Sequence, residues 1–88
     1  MSIAYDAQRV LLSIYKLIDE DSYTLYIKFK MSDMANSIGM STKRLNLCIH
    51  YLIDAGYLKG DFAYNSNEES AKEVMITASG VKYAESVL

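Results

Sequence analysis

The chain has 88 residues, of which 51% are apolar and 23% are charged, and these proportions are those of one folded domain over residues 1–88. No apolar stretch reaches the roughly 20 residues that a membrane-spanning helix needs, and a single cysteine excludes an internal disulfide. The first ten residues lack the basic and apolar regions of a signal peptide, so we expect a cytoplasmic protein.

The distribution of charge along the chain is uneven. The net charge of −2 argues against a strong general affinity for nucleic acid. Residues 28–59, however, contain five basic and two acidic side chains, whereas the segments on either side are acidic. Long-range attraction depends on where charge lies, so the middle of the chain is the better candidate for binding an anionic partner.

The chain is predicted to begin with a helix followed by a strand. Apolar residues recur every three or four positions over residues 4–19, which predicts an amphipathic helix ending at the acidic residues 19–21. The core stripe predicted for this helix consists of Ala7, Val10, Leu11, Ile14, Leu17 and Ile18. Residues 23–30 alternate in polarity, which predicts a half-buried strand with Leu25, Ile27 and Phe29 facing inward.

Two short helices joined by a turn are predicted next. Ser32 is a good N-cap for the first of them, and Gly39 suits the turn because glycine tolerates a positive φ. Ser41 then caps a second helix that runs to about residue 55, where Gly56 ends it in the same way. The buried positions predicted for this second helix are Leu45, Cys48, Ile49 and Leu52.

A hairpin and a last helix are predicted beyond residue 56. The hairpin strands cover residues 57–64 and 73–77 around a polar loop, and Thr77 or Ser79 caps the helix that follows. The stripe of that helix consists of Val81, Ala84 and either Val87 or Leu88. The predicted order is helix, strand, helix, helix, strand, strand, helix, which is an α+β arrangement.

The stretch MANSIGMSTKRL, residues 34–45, has the residue types that a helix-turn-helix requires. Ala35 is small where the two helices would cross, Gly39 serves the turn, and Leu45 would anchor the second helix on the first. Any short pair of helices needs a glycine and some core, but here a strand precedes the pair and a hairpin follows it. With its ending MITASGVKYAESVL, the chain resembles the winged helix-turn-helix domains of bacterial and phage transcription regulators, such as the MarR and PadR types.

The resemblance implies a function. It implies a small dimeric transcription regulator, similar in size to short phage- or plasmid-borne proteins, that binds double-stranded DNA through the helix at about residues 41–55. The DNA-binding residues that it implies are Ser41, Thr42, Lys43, Arg44, Asn46 and His50, with Leu47 on the same exposed side. Lysine and arginine bind phosphate or guanine, asparagine pairs with adenine, and hydroxyl groups contact phosphate. A solvated helix start is the simpler interpretation of Lys43 and Arg44, although cations are unfavourable there for the helix itself.

One departure from the family pattern favours an alternative. The tip of the predicted wing carries Glu68 and Glu69, and these carboxylates would repel phosphate. The alternative function is a winged-helix protein-interaction module of phage or mobile-element type, which docks on a host or regulatory protein without binding DNA.

Dimerisation and the absence of catalysis are also predicted. The second apolar stripe of the first helix and the end of the last helix predict a dimer interface that contains Tyr5, Leu12, Tyr15, Val87 and Leu88. Cys48 and His50 lie about 200° apart around their helix, so they do not form a nucleophile–base pair. One cysteine and one histidine do not build a zinc site, and no glycine-rich phosphate loop is present. We expect neither an enzyme nor a cofactor.

Overall fold

The computed structural model describes residues 2–18, 25–60 and 71–88, and these form four α-helices and three β-strands. In chain order the elements are α1 (Ile3–Tyr15), β1 (Tyr26–Lys30), α2 (Met31–Ile38), α3 (Thr42–Asp54), β2 (Leu58–Lys59), β3 (Ala71–Ile76) and α4 (Ala78–Val87). The predicted α+β class is confirmed. Within the described ranges, no helix is both long enough and apolar enough to cross a membrane.

The described strands form one antiparallel sheet in the spatial order β1-β3-β2. Ile27 of β1 lies opposite Val74 of β3, and Leu58 of β2 lies opposite Ile76 of β3. All four side chains are buried, whereas Lys28 is exposed. Since neighbouring side chains of a strand point to opposite faces, one face of the sheet belongs to the core and the other faces solvent.

Helices α1 and α3 pack against each other and supply much of the core. The buried residues of these two helices include Ala7, Val10, Leu11, Ile14, Leu45, Cys48, Ile49 and Leu52. Removing each large aliphatic side chain of this kind from water contributes roughly 1.5–3 kcal/mol. The packing holds α3 with its apolar stripe inward and its opposite face outward.

Helix α1 ends earlier than predicted. Lys16 is its C-cap, and the N–H groups of Leu17 and Ile18 donate to carbonyl groups three residues back, at 3.0 and 3.2 Å. This tighter turn changes the direction of the side chains that follow. As a result Leu17 is 49% exposed instead of buried, while Ile18 packs partly against the core. Residues 19–21, which were predicted to end the helix, lie outside the described residues.

The junction of β1 and α2 also differs from the prediction. The N-cap of α2 is Lys30 instead of Ser32, and no side chain caps the helix. Met31, the first helical residue, is buried, so packing determines where the helix begins. Phe29 is buried as predicted, whereas Leu25 precedes the strand and is exposed.

Helix α4 is fixed to the turn that ends α3. Thr77 is its N-cap, and the Thr77 hydroxyl oxygen accepts a hydrogen bond from the Gly80 N–H at 3.0 Å. The same hydroxyl donates to the carbonyl oxygen of Gly56 at 2.7 Å, and the Thr77 N–H donates to that of Tyr57 at 3.0 Å. Gly56 has a φ of 86°, in keeping with its predicted role at the end of α3.

The predicted wing is only partly described. The strand predicted over residues 57–64 is represented by the two residues of β2. Residues 61–70, which include Glu68 and Glu69, lie outside the described residues.

Candidate functional site on helix α3

The turn between α2 and α3 has the geometry predicted from the sequence. Gly39 has a φ of 78° and a ψ of 39°, a left-handed conformation that glycine adopts at no steric cost. The N–H groups of Gly39 and Met40 both donate to the Ala35 carbonyl oxygen, at 2.9 and 3.1 Å, and so close the end of α2. Ala35 and Leu45 are buried in the core. The predicted packing and turn roles of these residues are confirmed.

The first turn of α3 presents two of the predicted site residues to solvent. Ser41 is the N-cap, and its hydroxyl oxygen accepts a hydrogen bond from the Arg44 N–H at 3.1 Å. Ser41 and Lys43 are both exposed, while Thr42 between them is half-buried. A helix N-terminus carries a partial positive charge, so this turn is suited to an anion.

The outward face of α3 is mixed in chemistry. Lys43, Leu47, His50 and Asp54 follow one another at the three- and four-residue spacing of a single helix face, opposite the buried stripe. Tyr51 borders this row. Leu47 is 45% exposed and Tyr51 is 43% exposed, which are large values for apolar side chains placed side by side.

Asn46 lies at the edge of this face and is half-buried. Its Oδ1 atom is buried and has no hydrogen-bond partner within the described part of the chain. Pairing with adenine uses the oxygen and the nitrogen of the amide together. Pairing of Asn46 with adenine through both amide atoms therefore requires its side chain to rotate from this conformation.

Arg44, one of the predicted DNA-binding residues, has an ion-pair partner within the chain. Its Nε and Nη2 atoms both lie 2.9 Å from Oδ2 of Asp6, a residue of α1 that is only 2% exposed. The paired hydrogen bonds fix the guanidinium group in one orientation. Arg44 therefore joins α3 to α1 through a carboxylate within the chain.

Arg9 completes this cluster, which we call the Asp6 cluster (Asp6, Arg9 and Arg44). Nη1 of Arg9 lies 3.3 Å from Oδ1 of Asp6, and Nη2 donates to the carbonyl oxygen of Ile38 at 2.5 Å. The hydrogen bond from Arg44 lowers the pKa of Asp6 below its ordinary value, although burial acts in the opposite direction. The cluster links α1 to the end of α2 and to the start of α3, so it sets how these two helices are presented.

The sequence contained a signal for this cluster. Asp6 lies on the same helical stripe as Val10, and next to Ala7, where only apolar residues are expected. Arg9 follows Asp6 at the three-residue spacing of a helical ion pair. A buried acid with one local partner implies a second partner elsewhere, but the sequence does not say that this partner is Arg44.

The predicted dimer patch is partly occupied within the chain. Tyr5, Val87 and Leu88 are exposed. Leu12 and Tyr15 instead pack partly against the core, and the Tyr15 hydroxyl donates to Oε2 of Glu85 at 2.7 Å. This bond connects α1 to α4, so the two ends of the predicted patch lie on helices that are in contact.

Cys48 is buried in the core, and this burial raises the pKa of its thiol. The thiol therefore stays protonated near neutral pH and packs as an apolar group.

No protein-family model, no curated protein and no solved structure matches this chain. A function is therefore inferred from the geometry of α3 and its neighbours alone.

Proposed function

We propose that this chain is a winged helix-turn-helix protein that binds double-stranded DNA as a homodimer and regulates transcription, with α3 as its recognition helix. The main support is the turn at Gly39, which pairs α2 with α3 and leaves the Lys43 side of α3 outward. A helix supported in this way fits the major groove of B-DNA, which is about 12 Å wide. The antiparallel hairpin partners β2 and β3, which follow α3, support the winged form of the motif.

Individual residues have distinct roles in this proposal. Ser41 and Lys43 contact phosphate, because both are exposed at the helix N-terminus, where N–H groups and the helix dipole favour anions. Leu47 lies one turn further along and meets base edges, where the thymine methyl group is an apolar partner. Arg44 positions α3 through its hydrogen bond to Asp6.

Fluorescence anisotropy with a labelled duplex of random sequence, at low and moderate salt, tests the DNA function. The wild type is expected to bind at low salt and to lose affinity steeply as salt rises, because bound counterions are released from DNA. Lys43→Ala is expected to weaken binding and to flatten the plot of log affinity against log salt by about one unit per protomer.

Lys16→Ala provides the matched control, since it removes the same charge from the end of α1. We expect its affinity and salt dependence to equal those of the wild type. A wild-type protein that binds no duplex at low salt would rule out the DNA function.

A protein-interaction function is the second candidate, and the exposure of Leu47 and Tyr51 favours it. Neighbouring exposed apolar side chains are typical of protein interfaces, whereas DNA-binding faces are rich in cations. Under this second function the duplex affinity is negligible in the wild type and in the Lys43→Ala variant alike.

A further inference from the structure

A groove runs along the outer side of α3 beside the start of α1. It is open to solvent, has a volume of about 560 Å³, and is lined by Ile3, Leu47, His50, Tyr51, Ile53 and Asp54. Volumes of roughly 300–1,000 Å³ are typical of clefts that bind small ligands.

The lining of the groove combines an apolar surface with one imidazole, that of His50, and one carboxylate, that of Asp54. Ile3, Leu47, Tyr51 and Ile53 are apolar or aromatic, and Leu47 and Tyr51 are the more exposed of them. Burying such side chains against a partner is favourable by about 25 cal/mol per Å² of apolar surface. The groove therefore favours an occupant that brings apolar side chains to it.

The carboxylate of Asp54 determines which charge the occupant of the groove is expected to carry beside its apolar side chains. Asp54 is exposed in the last turn of α3, where the helix dipole is negative, so its carboxylate is unfavourable for its own helix. Within the described part of the chain, Asp54 forms no ion pair. A cation at this end of the groove is attracted by the carboxylate and by the helix terminus together.

We propose that this groove is a docking site for a basic amphipathic helix of a partner protein. Apolar side chains of that helix enter between Ile3, Leu47 and Tyr51, and a lysine or arginine beside them pairs with Asp54. The proposal goes beyond DNA binding and does not depend on it. Because Leu47 and His50 belong both to the groove and to the proposed DNA face, the docked helix and DNA exclude each other.

Two short synthetic helical peptides are suitable probes. Both carry leucines at three- and four-residue spacing, and the polar side of one is built from lysine and that of the other from glutamate. Titration of the ¹⁵N-labelled full chain is expected to give saturable chemical-shift changes around Ile3, Leu47, Tyr51 and Asp54. The lysine peptide is expected to bind roughly threefold to tenfold more tightly than the glutamate peptide.

Substitutions test the two parts of the site separately. Tyr51→Ala is expected to weaken both peptides, because it removes apolar lining. Asp54→Lys is expected to reverse the preference, so that the glutamate peptide binds more tightly than the lysine peptide. Tyr26→Ala, which truncates an exposed tyrosine on β1 instead, is the control and should leave both affinities unchanged.

Three outcomes would overturn the proposal. These are no saturable binding of either peptide, equal affinity for both peptides in the wild type, and an unchanged preference in the Asp54→Lys variant. Shifts of Leu47, Tyr51 and Asp54 that depend on protein concentration without peptide would also overturn it, since a second copy of the chain would then be the occupant. The peptide titration contains no DNA, so its outcome is independent of whether the chain binds DNA.

Discussion

The carbonyl oxygen of Tyr57 lies where a side chain at position 80 would begin. A Cβ atom added to Gly80 would overlap this oxygen and would come within 2.9 Å of Cγ1 of Ile76. The oxygen cannot retreat easily, because it also accepts the hydrogen bond from the Thr77 N–H. The close approach of α4 to the turn after α3 therefore requires glycine at this position.

Gly80→Ala is expected to lower the free energy of unfolding by roughly 1–3 kcal/mol, the usual cost of overpacking. Ser79→Ala is the control, since the neighbouring residue is exposed and alanine is a good helix former. Urea denaturation of both variants measures the difference. Equal stability of Gly80→Ala and wild type would show that α4 does not approach Tyr57 so closely.

Position 39 requires glycine because of its backbone conformation and not because of steric crowding. Apart from its chain neighbours, no described residue has an atom within 4 Å of the position that a Cβ would occupy, but the φ of 78° is unfavourable for a residue with a side chain. Gly39→Val is therefore expected to cost about 1–2 kcal/mol or more, and Gly39→Asn distinctly less, because asparagine tolerates this region better. Thermal unfolding measures both, and identical melting temperatures for the two variants would contradict the account of the turn.

At the scale of whole elements, the sequence predicts core faces better than element ends. Apolar periodicity correctly identifies the buried faces of α1 and α3, because that signal is local. The end of α1 and the start of α2 depend on tertiary packing, as the exposure of Leu17 and the burial of Met31 demonstrate. Local residue types cannot carry this information.

In the candidate site, too, local features could be predicted from the sequence and long-range contacts could not. The Ser41 cap and the Gly39 turn follow from residue types within a few positions of each other. The pairing of Arg44 with Asp6 spans 38 residues of sequence, so no local pattern reveals it. The outward face of α3 could thus be predicted in position, whereas the amount of positive charge on it could not.

The Asp6 cluster links elements and gives stability a pH dependence. The pKa of Asp6 in the folded chain lies below its ordinary value of 3.8. Its contribution to stability is therefore fully present above about pH 5 and is lost as the pH falls through the lower folded-state pKa. Asp6→Asn is expected to be less stable than wild type at neutral pH, and the difference is expected to narrow on acidification.

Urea denaturation from neutral pH down to about pH 2 measures this effect. Asp54→Asn is the matched control, because it removes an exposed carboxylate that has no ion pair within the described residues. The free energy of unfolding of this variant should differ little from that of the wild type at neutral pH. If the Asp6→Asn and wild-type stabilities stay a constant distance apart at every pH, the carboxylate does not act through its ionisation.

At the scale of the whole molecule, the contact between α1 and α4 determines how much apolar surface remains exposed for contact with a second copy of the chain. The bond between Tyr15 and Glu85 holds the two helices together, and Tyr5, Val87 and Leu88 remain exposed. A stable interface buries about 800 Å² per partner, which is more than a few scattered apolar side chains supply. A dimer through this surface therefore has to use both helices at once.

We expect the wild-type chain to be a dimer at micromolar concentration, measured by light scattering and sedimentation. Tyr5→Glu combined with Val87→Glu is expected to give a monomer, because the symmetric interface of a dimer brings each introduced charge close to its copy. Tyr26→Glu is the control, as it places the same charge on an equally exposed tyrosine of β1, away from α1 and α4. A wild type that is monomeric throughout, or a dimer that survives the double substitution, would exclude this surface as the interface. DNA binding through α3 would then have to proceed from single domains, with half the phosphate contacts and a correspondingly shallower salt dependence.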